Sequence, residues 1–130
     1  MIKSKKDALF LFFVYLCAMF THTLENNVLI IRFQENLIMP TLDPDLQQAI
    51  EACIATGTVH CIIDLEAVQY ANSSGIGILM RILAKFRNVG GEAVLVNPSS
   101  HLQKLLIITK LSAIFTVAKT TQEAMEGLKA

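Results

Sequence analysis

The residues best placed to do chemistry are two adjacent hydroxyls in Asn72-Ser73-Ser74-Gly75-Ile76-Gly77. They follow a run ending in Asp64-Leu65 and open a segment with helical spacing. The pattern therefore predicts them at the mouth of a helix beyond a strand's carboxyl end, where α/β proteins keep their sites. A helix N-terminus carries backbone N–H groups without intrahelical partners and a partial positive charge, so a phosphate carried there is stabilised. Asn72 offers a capping oxygen, and Gly75 and Gly77 permit close packing. On spacing alone the plainer reading, an N-cap ahead of an ordinary helix, is the commoner one.

The other reactive side chains do not assemble into a catalytic or metal site. His60 falls within an apolar strand as a satisfied core residue, His101 in the first turn of a helix, and His22 near the N-terminal segment. Cys17, Cys53 and Cys61 are odd in number and lack C-x-x-C spacing, which points to reduced thiols and excludes a disulfide framework. No G-x-S-x-G elbow, G-x-G-x-x-G turn or phosphate loop occurs, so neither a serine hydrolase nor a nucleotide cradle is indicated. A receiver phosphorylated on Asp64 needs an acidic pair after the first strand to hold Mg²⁺, and only Glu35 lies there. Asp64 is expected to orient the loop before Ser73. No cofactor and no metal are expected.

A scaffold must position the two serines. At 130 residues the chain is one domain's worth, since two cores would each bury too little surface. Hydrophobic residues are 53%, charged residues 17%, and 11 Lys and Arg balance 11 Asp and Glu. That excludes a disordered polyelectrolyte and an electrostatically driven nucleic-acid binder. Residues 1–21 stand apart as an apolar extension. Ala8 to Phe20 is an uninterrupted apolar run behind Lys3, Lys5 and Lys6, shorter than the roughly 20 residues of a membrane span. Its outline is signal-like but lacks a good cleavage site, and Met19 offers a start that leaves the run upstream of the protein proper. The domain is expected over 22–130.

Within it, Val28 to Phe33 and Leu37 to Met39 predict two short strands joined at Gln34 to Asn36. Pro40 breaks pairing, and Asp43-Pro44 opens an amphipathic helix with Leu46, Ala49, Ile50, Cys53 and Ile54 on one face and Gly57 as its stop. Val59 to Leu65 predicts a central strand covered on both faces. A helix through Asn88 follows the serines, its apolar face formed by Ile76, Leu79, Leu83 and Phe86 and widened by Ile78 and Ile82. Its narrow outer side carries Arg81, Lys85 and Asn88, with Met80 at the edge. After Gly90-Gly91 come a strand to Val96, a helix opened by Asn97-Pro98-Ser99, an edge strand at Phe115 to Ala118, and a last helix with a Thr120/Glu123 capping box. The alternation predicts right-handed crossovers and a largely parallel sheet of four to five strands with helices packed against it.

Taken in order, Asp64-Leu65, Val68, Asn72-Ser73-Ser74-Gly75-Ile76-Gly77-Ile78-Leu79, Gly90-Gly91, Val94 to Pro98 and the Leu105-Leu106, Leu111, Ile114-Phe115 tail resemble the STAS domain of anti-sigma factor antagonists, roughly from Val28 to Leu128. In that family the usual core is Asp-Ser-Ser-Gly or Asp-Ser-Thr-Gly, and Asn72 here replaces the acidic residue. The resemblance implies a single α/β domain that is no enzyme. It implies phosphorylation at Ser73 by a partner that is both anti-sigma factor and serine kinase, with a phosphatase as a further partner. The implied docking surface is Asn72, Ser73, Ser74, Gly75, Ile76, Met80 and Arg81, in a cytoplasmic protein without a stable membrane span. The alternative within the fold is an adaptor subunit of a membrane transport or signalling assembly, without a phosphorylation cycle.

Overall fold

The structure is a computed structural model, and it describes residues 20–38 and 44–129. Five strands form one sheet in the order β1-β2-β3-β4-β5, the order of the chain itself. They are β1 (Phe20–Glu25), β2 (Val28–Phe33), β3 (His60–Asp64), β4 (Glu92–Val96) and β5 (Thr116–Ala118). Four helices are described, α1 (Pro44–Ala55), α2 (Ser73–Arg87), α3 (Ser100–Ile108) and α4 (Thr121–Lys129), with a short 3₁₀ turn at Leu111–Ala113. β1 runs antiparallel to β2, and every later pairing is parallel.

Parallel crossovers that all step the same way across a sheet, all right-handed, put their helices on one face. The packing follows that rule. Leu29, Ile31 and Phe33 of β2, Cys61 and Ile63 of β3, and Ala93 and Leu95 of β4 share a core with Leu46 and Ile50 of α1, Leu79 and Phe86 of α2, and Leu102 and Leu106 of α3. Among the described residues the opposite face is covered by α4, whose Ala124 and Met125 meet Val28, Ile30, Ile62, Val94 and Val96. Each fully buried aliphatic or aromatic side chain contributes about 1.5–3 kcal/mol, so the three-helix layer holds most of the stability. β3 lies in the middle of the sheet with its interior residues buried on both sides, as its unbroken apolar run predicts.

The hairpin differs from the sequence expectation. β2 pairs with a strand before it, in register Phe20↔Phe33 to Glu25↔Val28, and not with Leu37 after it. Asn26 and Asn27 turn the chain, both at positive φ, as a tight two-residue hairpin requires. β1 begins at Phe20, inside the stretch assigned above to the extension, and the Phe20 ring is buried in the core. Leu37 forms only an isolated parallel bridge to Ala71. Met39, Pro40, Asp43, Cys17 and the rest of the apolar run lie outside the described residues. Gly57 ends α1 at φ 101, as expected of a left-handed stop. At α4 the Thr120 hydroxyl accepts from Glu123 N at 3.1 Å, but Glu123 reaches Lys119 N at 3.3 Å in place of Thr120 N, so half of the capping box forms.

Candidate functional site

β3 ends at Asp64, and a loop carries the chain across the carboxyl end of the sheet to Ser73, the first residue of α2. One Asp64 oxygen accepts from Glu66 N at 3.0 Å and the other meets the Arg32 Nε at 3.2 Å. Asp64 thus orients the start of the loop, the structural role expected of it. The neighbouring cavity of about 330 Å³ is lined by Arg32, Phe33, Gln34, Asp64, Glu66 and Ala67, away from the serines.

The rest of the loop is tied down by the segment after β2. Asn36 Oδ1 accepts from the backbone N–H of both Gln69 and Tyr70, at 2.9 and 3.0 Å. Leu37 donates to the Tyr70 carbonyl at 3.0 Å and accepts from Asn72 N at 3.1 Å. The Ser99 hydroxyl, while capping α3 through Leu102 N, donates to the Gln69 carbonyl at 3.2 Å. Leu37 is fully buried and lies so close to α2 that a Cβ on Gly75 would strike its carbonyl. These restraints hold the entry to α2 from below. Sequence reasoning saw Asn36 only as a connector and missed it, Leu37 and Tyr70 as parts of the site. Their partners lie more than 30 residues away in the chain, a distance no local pattern spans.

Asn72 takes the N-cap position with extended backbone, and its Oδ1 accepts from Gly75 N at 2.9 Å. With the cap filled by Asn72, the hydroxyls of Ser73 and Ser74 are not needed to close the helix, and both residues are exposed. No acidic residue stands in the first turn, so the positive end of the helix dipole faces the serines without a compensating charge. A phosphoryl group there would meet free N–H groups and a favourable field, and the fold would not have to open.

The other expected docking residues separate into two groups. Met80 and Arg81 are exposed on the outer side of α2. Gly75 and Ile76 are buried, the first against Leu37 and the second in the core, so neither presents side-chain surface to a docking molecule. The cause is the width of the apolar face, on which Ile76, Ile78, Leu79, Ile82, Leu83 and Phe86 all point inward. Lys85 is engaged with Glu51 of α1 at 3.3 Å. A hydrogen bond from Gln47 and the Lys85 ammonium together hold the Glu51 carboxyl below its usual range. His60 Nδ1 accepts from Glu92 N at 3.2 Å, a satisfied structural role, and the His101 ring lies 5.4 Å from that of Tyr70.

A mostly parallel sheet with exposed hydroxyls at the mouth of the helix after its central strand sets the class, a single α/β domain. The chain matches the STAS domain over residues 21–124 and belongs to that family. A Thermotoga neapolitana protein named as an anti-sigma factor antagonist is 25% identical over 100 residues, spanning 72% of this chain and 88% of its own length. The crystal structure of a Thermotoga maritima protein named in the same way has a TM-score of 0.69 at 22% identity, covering 86% of this chain and 96% of that one. The phosphorylated form of the Bacillus cell fate determinant SpoIIAA has a TM-score of 0.61 at 23% identity, covering 82% of this chain and 96% of that one. At these identities the solved structures speak for the fold.

Proposed function

We propose that this STAS domain is an anti-sigma factor antagonist. In its unphosphorylated form it binds an anti-sigma factor that is also a serine kinase, and phosphorylation at Ser73 switches it off. It regulates transcription in the cytoplasm by partner exchange and catalyses nothing itself. The observation that carries this reading is the exposed Ser73 at the first position of α2, behind an N-cap that Asn72 alone completes. The naming of the Thermotoga neapolitana relative supports it.

The physical logic is one of shared surface. A kinase must hold the Ser73 hydroxyl against the γ-phosphate of ATP, so its docking surface fits the unmodified helix mouth. Adding about −1.5 to −2 charges places phosphate against nucleotide or packed interface, and the complex separates while the helix dipole keeps the modified domain folded. Ser73, Ser74, Asn72, Met80 and Arg81 supply the contact. Asn72 keeps the cap oxygen of the usual acidic residue without its charge, which leaves the helix mouth more favourable to phosphate.

The test is intact mass of the full chain after incubation with ATP and a lysate of its native host. A single phosphate that maps to Ser73 and disappears in Ser73→Ala is expected. In a pull-down from the same lysate, wild type and Ser73→Ala retain a kinase that Ser73→Asp loses. A chain that gains no phosphate, or a Ser73→Asp variant that keeps every wild-type partner, overturns the switch and leaves the transport-adaptor role.

A further inference from the structure

The far end of the molecule from Ser73 presents a surface the switch does not use. Ile107 and Ile108, side by side in the last turn of α3, are 64% and 77% exposed, the highest values among the large exposed hydrophobics of the described residues. Lys104 lies one turn earlier on the same side, at the three- and four-residue spacings that make helix neighbours. Lys110 follows at φ 64, exposed, with its N–H donating to the Ile107 carbonyl at 3.0 Å. Residues 93–122 contain no Asp or Glu, so no carboxylate of this stretch neutralises these lysines.

Protein interfaces are enriched in aromatic residues and arginine and depleted in lysine. The segment 104–110 has no aromatic residue and no arginine, and lysines flank its isoleucines. A second copy docked about a two-fold axis would set lysine against lysine. Bulky aliphatic side chains that can enter the headgroup boundary, flanked by lysines that can meet phosphates, match an anionic bilayer surface. We propose that the Ile107–Ile108 corner of α3 docks reversibly on an anionic lipid surface, with Lys104 and Lys110 against the headgroups. This is contact with a membrane face, not a crossing, and it does not depend on the state of Ser73.

The full chain is mixed with vesicles of pure phosphatidylcholine, or of equal parts phosphatidylcholine and phosphatidylglycerol, and sedimented. Wild type is expected to bind the anionic vesicles at least about tenfold more tightly, with the preference falling as salt rises. Lys104→Glu with Lys110→Glu should weaken anionic binding by about 25-fold or more, since each lysine near such a surface is worth roughly 1 kcal/mol. Ile107→Ser with Ile108→Ser should weaken it at least about tenfold. Both variants should melt as wild type does, because the altered residues are exposed. The proposal is overturned by a wild type without preference for anionic vesicles. Variants that bind as wild type does also overturn it, since binding then resides elsewhere in the chain. A dimer abolished by the isoleucine variant, with no vesicle preference, assigns the corner to a second copy instead.

Discussion

Gly75 and Gly77 stand two residues apart in α2 and respond to different surroundings. A methyl on Gly75 would meet the Leu37 carbonyl, whereas one on Gly77 has nothing within 4 Å. Gly75→Ala is therefore expected to destabilise the domain by about 1–3 kcal/mol, and Gly77→Ala to stabilise it by about 1 kcal/mol through helix propensity. Urea unfolding of the two variants checks the contrast. Asn72→Ala should cost about 1 kcal/mol by leaving Gly75 N uncapped, and Asn72→Asp should recover that and add about 0.3–1 kcal/mol from the helix dipole. The sequence pattern placed Asn72 at the cap and Ser73 at the opening of the helix because capping is local. It misplaced Ile76 on the docking surface because the direction of a helix face depends on what packs against it. Cys61 is buried, and burial pushes its thiol well above the ordinary range, with the nearby Cys53 adding to the effect. Above about pH 8.5 the unfolded chain releases that proton while the folded chain keeps it, so the domain loses stability on the alkaline side. Native Cys61 should resist alkylation until denaturant is added, which mass spectrometry of the alkylated chain measures.

Between elements, the contact of α1 with α2 gives a titration with a definite sign. Glu51 accepts from Gln47 within α1 and from Lys85 across to α2, and its pKa is lowered. Its contribution to stability is present above the unfolded carboxyl range and is lost as pH falls through the lowered folded value. Lys85→Met should raise the Glu51 midpoint in an NMR carboxyl titration without restoring it fully, because Gln47 remains. The hairpin gives a second contrast. Asn26 sits at φ 52, which Asn and Gly accept and a β-branched residue does not. Asn26→Gly should leave the thermal midpoint nearly unchanged, and Asn26→Val should lower it by several degrees. β1 was illegible for a physical reason. Five of its six residues are exposed, so it lacks the alternation that marks a half-buried strand. The Asn26-Asn27 pair was its only local signal, and those residues read as a boundary rather than a turn. Leu37 misled in the opposite direction, because it is apolar and buried through contact with a loop and a helix end rather than through strand pairing.

For the molecule as a whole, the alternation of apolar runs and amphipathic segments made the parallel sheet and its helical layer readable, since each crossover writes two periodicities in succession. The division of the helices between the two faces is a property of topology, and no window of sequence displays it. Because Ser73 lies outside both buried clusters and at the positive end of α2, Ser73→Asp should melt at or a few degrees above wild type even as it changes which partners are retained. The strand order has a further consequence for biosynthesis. Each strand after the first lies beside the one that left the ribosome just before it, so the sheet can grow outward by addition at its newest edge, and no interior slot waits for a distant segment. A nascent chain of this kind shields its apolar strands as they appear.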